Sequence, residues 1–280
     1  MAKISLRAAG VEDLPRLREL WRKSFGEENE AWFFQHCFVP EHVESSLVLL
    51  EDGVVQSMVF LLPAFWYSGT QDRYAPAPCL VGLATDPACR HQNYAGWLVE
   101  TACDFLVEKG AGGVWTLLQD NTLELFFSMQ GFWTLGHAAE EPFLETDLPD
   151  CSGICRRSPP EAYERLREKL LQGRDHVILG PTLTALQREL AERSGGGLFQ
   201  VALPLGGTAC AIAAKAGGTA VIRELLGAEG QEREALALLT RALKANQCVR
   251  CVPLGMLRLM NGFAKMERPE GYLGCGLPLS

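Results

Sequence analysis

The residues best suited to chemistry lie between Leu80 and Leu98. An apolar run, Leu80, Val81, Leu83 and Ala84, stops at Asp86-Pro87. A polar loop, Arg90-His91-Gln92-Asn93, follows, and an apolar-periodic segment opens at Tyr94. That order reads as strand, tight loop and helix N-terminus, where backbone N–H groups are left free to hold an anion. Gln92, Asn93, Tyr94, Ala95 and Gly96 supply the donors, and the dipole of the new helix adds to them. Small residues at Ala95 and Gly96 let the backbone approach a ligand closely, and Asn93 tolerates unusual φ better than most residues. The Arg90 guanidinium can add a charge-assisted bond, and His91 is a further donor. A doubly wound sheet can present the same order of elements.

Other chemistries find less support. No G-x-S-x-G, G-x-x-x-x-G-K-S/T or G-x-G-x-x-G stands between a strand and a helix. Ten cysteines are present, but Cys37, Cys79, Cys103 and Cys210 sit in apolar segments, where a thiol is a small hydrophobe. Cys151-x-x-x-Cys155 and Cys248-x-x-Cys251 lack accompanying histidines, so structural thiols are expected and no metal. Lys and Arg number 9 against 22 Asp and Glu in residues 1–150, a net −13, while residues 151–280 carry +5. The acidic half disfavours nucleic acid and suits a cationic amine, or serves only solubility. No apolar run is long enough for a membrane span, and Met-Ala-Lys-Ile-Ser is no signal peptide, so a cytoplasmic protein without a membrane partner is expected.

The elements that must position the loop follow from periodicity. Ile4–Arg7 reads as a strand, and Asp13–Phe25 and Glu28–Phe38 as helices. Ser46–Leu50 and Val54–Tyr67 form a hairpin around Glu51-Asp52-Gly53. Cys79–Thr85 is a strand, Tyr94–Lys109 a helix, Val114–Leu118 a strand and Leu123–Met129 a helix. Gly131-Phe132 opens a last strand toward Leu144. The Pro-rich stretch 150–160 reads as a linker between domains 1–149 and 161–280. Beyond it come helices at Glu161–Leu171 and Leu183–Arg193 with a short strand, His176–Leu179, between them. Strands at Phe199–Leu203, Ala209–Lys215 and Ala220–Leu226, a helix at Glu232–Lys244 and a strand at Cys248–Val252 complete a second, reduced copy of the same order.

Three marks carry a family resemblance over roughly residues 3–147. Arg90-His91-Gln92-Asn93-Tyr94-Ala95 resembles the pyrophosphate loop R/Q-x-x-G-x-G/A of the GCN5-related N-acetyltransferases (GNAT), with Asn93 at the middle glycine. Ile4-Ser5-Leu6-Arg7-x-Ala9-x-x-x-x-Asp13-Leu14 is similar to the family's opening strand and helix. Leu125-Phe126-Phe127-Ser128-Met129-Gln130-Gly131-Phe132 is similar to its late F-Y-x-x-x-G-F helix.

The resemblance implies an α/β (α+β) fold, a twisted mixed sheet flanked by helices, in two tandem copies of which the second is degenerate. It implies acetyl-CoA as acyl donor and a small-molecule or peptide amine as acceptor. Main-chain groups of Leu83 and Thr85 would hold the pantetheine arm and polarise the thioester, and Asp120 or Asn121 would contact the arm or the substrate. The family's proton-donating tyrosine is replaced by Phe127, which leaves the catalytic acid unassigned; Tyr94, Tyr67 and Tyr74 are candidates by chemistry alone. Base candidates are Glu51, Asp52, His91, His137, Glu140, Glu141 and the carboxylate of Ser280. The second copy's loop, Gly227-Ala228-Glu229-Gly230-Gln231, has no arginine and carries a carboxylate, so it is not expected to hold coenzyme A. Two other readings stand beside this one: a non-catalytic acyl-CoA-binding or regulatory protein, and an aminoacyl transferase that uses tRNA.

Overall fold

The computed structural model describes residues 2–39, 46–69, 71–117, 122–134, 137–254 and 259–261. Strand β1 (Ile4–Ala8) leads into helices α1 (Leu14–Phe25) and α2 (Glu30–His36), and β2 (Ser46–Glu51) and β3 (Val54–Leu62) form the expected hairpin. Strands β4 (Phe65–Ser68) and β5 (Arg73–Pro76) follow, then β6 (Cys79–Thr85), α3 (Tyr94–Glu108), β7 (Trp115–Leu117), α4 (Thr122–Met129) and β8 (Trp133–Thr134). Next come β9 (His137–Leu144), β10 (Ile154–Arg157), α5 (Pro160–Leu171), β11 (His176–Ile178) and α6 (Gly180–Arg193). Strands β12 (Gly197–Ala202), β13 (Thr208–Ala216) and β14 (Thr219–Leu226), helix α7 (Glu232–Ala242) and strands β15 (Gln247–Leu254) and β16 (Leu259–Asn261) close the order.

Two compact units result. One gathers residues 2–66, 75–134 and 260–261; the other gathers 67–74 and 137–259. The sheet of the first runs β1-β2-β3-β6-β7-β16-β8, and that of the second β10-β12-β13-β14-β15-β9. In both, three antiparallel strands are followed by a fourth antiparallel strand, a crossover helix and a parallel fifth. The chain is thus an α/β protein with two GNAT-like sheets. A small third sheet runs β11-β4-β5.

Three expectations need correction. The run Val54–Tyr67 is two strands, because Pro63 has no N–H to give to a ladder and breaks it. The stretch 150–160, read as a linker, contains β10, an edge strand which pairs with β12 from Ile154↔Ala202 to Arg157↔Phe199. The strand running to Leu144, read as the last of the first sheet, instead pairs with β15 from Gln247↔Leu144 to Leu254↔His137. The first sheet receives β16, which pairs antiparallel with β8 at Met260↔Thr134 and Asn261↔Trp133. Periodicity identifies a strand but not its neighbour, so this exchange is invisible in sequence.

Alternation along the strands decides what each face buries. Leu47, Leu49, Val59, Leu61 and Leu80 face α3, meeting Tyr94, Leu98, Val99, Ala102 and Leu106 together with Phe127 and Phe132. Phe60 faces the other way, into a ring cluster with Trp21, Phe33 and Phe34 from α1 and α2. In the second unit Ala220, Ile222 and Cys248 pack on α7, and Cys210, Ile212 and Leu226 pack on α5 and α6. The second face also buries an ion pair: Glu224 accepts from Tyr163 Oη at 2.5 Å and Arg167 Nε at 3.0 Å. Removing one partner of such a pair costs about 3–5 kcal/mol, because the other is left charged and dry.

Gly82, inside β6, has φ +62°, and a Cβ there would lie 2.9 Å from Phe60 and 3.0 Å from Trp21. Left-handed backbone costs an L-residue about 1–2 kcal/mol, and overpacking about 1–3. Gly82→Ala is therefore expected to lower stability by about 2–4 kcal/mol in urea unfolding followed by circular dichroism. A loss below about 1 kcal/mol contradicts the strained-bulge account of this strand.

Candidate functional site

Strand β6 is paired differently on its two sides. Against β3 the register runs Ser57↔Thr85 and Met58↔Ala84, then Phe60↔Val81, so β6 carries one residue more than its partner. That is a β-bulge, with left-handed Gly82 as its hinge. Against β7 the pairing is confined, among the described residues, to Cys79↔Trp115, with Thr116 Oγ1 donating to the Leu80 carbonyl at 2.9 Å.

The orientation of Thr85 follows from the ladder. Asp86 N–H donates to the Gln56 carbonyl at 2.8 Å, so 56 and 86 are a hydrogen-bonded pair. Hydrogen-bonded and non-hydrogen-bonded pairs alternate in an antiparallel ladder, so Thr85 turns its N–H and C=O away from β3. Its side chain lies on Ser57: Ser57 Oγ donates to the Ala84 carbonyl, which leaves the Thr85 hydroxyl as donor to Ser57 across 2.9 Å. Leu83 is partly buried against the α3 core.

Asp86 ends the strand and fixes the loop. Its carboxylate accepts from Ala88 N–H at 3.0 Å, Arg16 Nη2 at 2.8 Å and Lys23 Nζ at 2.9 Å. Burial favours the neutral acid, but the Ala88 N–H bond and the two cations prevail and hold its pKa down to about 2. The short turn Pro87–Cys89 is thereby tied to α1.

The loop itself alternates. Arg90 is extended and exposed, while His91 (φ 67°) and Asn93 (φ 63°) are both left-handed. Asn93 takes this conformation as a glycine would, and its side chain rests against Gly96, where a Cβ would lie 2.3 Å from Asn93 Oδ1. The first bond of α3 runs from Trp97 N–H to the Asn93 carbonyl. Among the described residues the backbone N–H groups of Gln92, Asn93, Tyr94, Ala95 and Gly96 have no hydrogen-bond partner, nor has the Arg90 side chain. The Gln92 side chain accepts from Tyr94 Oη at 2.9 Å. Five free donors thus sit on one turn at a helix N-terminus, an arrangement fit for a phosphate group.

The candidate acids and bases are less concentrated. Phe127 is 3 % exposed, wedged between Phe126 and Phe132 with ring centroids 5.1 Å away on each side. The Tyr94 ring is core, and its hydroxyl faces Gln92 and Glu51; burial, then Glu51, raise its pKa. Tyr67 and Tyr74 count with the second unit, where Tyr67 Oη donates to Asp72. Asp52 accepts from Lys3 N–H in the hairpin turn, and Glu51 faces Cys89. Glu140 and Glu141 lie on β9 in the second sheet, a correction to their expected place beside the first. Asp120, Asn121, the His137 side chain and Ser280 lie outside the described residues. Sequence reasoning missed the roles of Gly82, Ser57 and Asp86; a glycine inside an otherwise apolar strand is the available signal for the bulge.

The second copy differs at its loop. Gln231 uses its side chain to bind the β12–β13 turn, accepting from Leu205 N–H at 2.9 Å and donating to the Gly206 carbonyl at 3.1 Å. The first turn of α7 is acidic, with Glu232 and Glu234. Negative charge there repels a phosphate.

The sequence matches no protein-family model and no curated protein. Among solved structures the chain is similar to a GCN5-related N-acetyltransferase from Kribbella flavida, with a TM-score of 0.70 and 15% identity over 93% of this chain and 71% of that one. A probable N-acyltransferase of unknown function from Enterococcus faecalis V583 gives 0.71 and 13% over 96% and 74%. A GCN5-related N-acetyltransferase from Anabaena variabilis gives 0.71 and 10% over 92% and 72%. Such identities establish a shared fold. No helix among the described residues is long and apolar enough to cross a membrane.

A folded pKa held below the ordinary carboxylate value stabilises the chain above pH 4, and that contribution is lost as pH falls toward about 2. Asp86→Asn is therefore expected to cost about 2–3 kcal/mol at pH 7 and progressively less between pH 4 and pH 2. Paired urea melts of the two proteins across that range measure it; a pH-independent difference contradicts the Asp86 clamp.

Proposed function

The chain has the fold of the GCN5-related N-acetyltransferases in its two-copy form, and we propose that it is an acyl-CoA-dependent N-acyltransferase, transferring acetyl from acetyl-CoA to an amine. The loop of unpaired amides between Gln92 and Gly96 carries the reading. In it, these N–H groups and Arg90 hold the pyrophosphate, with His91 alongside. The pantetheine arm lies along β6 at Leu83 and Thr85. Its thioester carbonyl takes an N–H of that strand, the kind of preorganised donor that lowers an acyl-transfer barrier by ~3–4 kcal/mol. The amine attacks the thioester directly. The acceptor is a small-molecule or peptide amine, for which the acidity of residues 1–150 is favourable. Domain 1–149 bears this chemistry in the proposal, and domain 161–280 is its degenerate counterpart.

Phe127 supports a second reading, an acyl-CoA-binding protein without turnover. Its ring is buried and offers no proton to a departing thiolate.

Calorimetric titration with acetyl-CoA, followed by thiol-release assays on a panel of amines, tests both. One saturable site per chain is expected. Arg90→Ala weakens it about tenfold, the worth of one charge-assisted bond. Asn93→Gly leaves it intact, whereas Asn93→Val, which resists positive φ, abolishes it. Absence of saturable binding, or affinity indifferent to both Arg90→Ala and Asn93→Val, removes the acyl-CoA assignment. Binding with no thiol release on any amine selects the non-catalytic reading.

A further inference from the structure

A pair of parallel strands parts in the second copy. Strands β14 and β15 pair in parallel from Thr219↔Gln247 to Ile222↔Arg250 and not beyond. Both strands continue for four residues, Glu224–Leu226 paired with β13 and Cys251–Leu254 with β9. The point of separation coincides with a bulge, because Ile212↔Glu224 and Ala213↔Ile222 leave Arg223 as the extra residue on β14. Arg223 therefore stands at the apex of the opening.

Its surroundings are unusual for a cation. Arg223 is half-buried, and among the described residues it has no hydrogen bond, ion pair or ring contact. Burial holds its pKa below the ordinary arginine range, with Cys251 the group that pulls it back up. Cys251 lies across the opening, and Glu140, opposite Cys251 in the β15–β9 ladder, shares its face. Arg250 turns to the other face, where it meets Glu141 at 3.9 Å. Glu224, next along β14, is already bound by Tyr163 and Arg167. A half-buried guanidinium whose donors are not taken up by the chain is available to an anion from solution.

We propose that the opening between β14 and β15 is a binding site for a small carboxylate, received by the Arg223 guanidinium. A guanidinium presents two parallel N–H donors that match a planar carboxylate. One guanidinium with no second cation beside it matches a single carboxylate, and Glu140 on the same face adds repulsion that weighs more heavily on a phosphate dianion. The site is independent of the acyl-CoA reading, since it involves neither β6 nor the Arg90 loop.

Saturation-transfer NMR on the full chain tests it, with acetate, propionate and benzoate as probes in chloride buffer of constant ionic strength and no acyl-CoA. At least one probe is expected to bind saturably. Arg223→Met weakens that binding at least tenfold, and Arg223→Lys, which keeps the charge but not the fork, weakens it less. In chloride alone Arg223→Met melts at the same temperature as the native chain or higher. The proposal is overturned by silence of all three probes, by an equal response from Arg223→Met, or by Arg223-dependent 31P line broadening of inorganic phosphate with no response from the carboxylates. It is also overturned if Arg223→Met melts lower in chloride, which makes the guanidinium structural.

Discussion

The geometry of the first unit depends on a carboxylate with three donors. Asp86 closes β6, caps the turn that follows and takes two cations from α1. Hydrogen bonds to a buried carboxylate outweigh an exposed ion pair such as Lys23 with Glu19. The sheet, the loop and α1 are therefore joined at one point. The loop can then afford backbone conformations that it would not adopt alone, two left-handed residues in four. Five N–H groups are left facing outward by the same device.

The bulge at Gly82 is the second constraint. An extra residue on one strand increases local twist and turns the strand away from its neighbour. Here the ring cluster of Trp21 and Phe60 fills the space a side chain would need. The second copy repeats the bulge with Arg223 instead of glycine, and its strands stay together for four pairs before parting. Two sheets of one plan thus hold different groups at the same turn of the chain: bare backbone in the first, a guanidinium in the second.

Much of this was legible in the sequence because the signals are local. Helix limits at Gly26 and Gly110, the Glu51-Asp52-Gly53 hairpin and the loop opening at Tyr94 each follow from a few adjacent residues. Asn93 illustrates the reach of such reasoning: its tolerance of positive φ is a property of one residue, and φ is 63°. What sequence could not supply is pairing. Nothing in His137–Leu144 says that its partner is β15 rather than β8, because a strand's pattern records burial and not identity. Pro63 divides a run that hydrophobicity alone joins. The cations that meet Asp86 are 63 and 70 residues away along the chain, beyond any local rule.

The exchange of outer strands has a kinetic consequence. The first sheet carries β16 between β7 and β8, so its last internal neighbour arrives after residue 258 has been made. During synthesis the earlier strands wait with an unfilled slot, and β7 and β8 present open edges meanwhile. Pairings of such long sequence separation are slow to form. A fragment stopping after β8 would lack the strand that joins its two halves, so the autonomy suggested by a neat N-terminal half is denied by a strand more than a hundred residues further on.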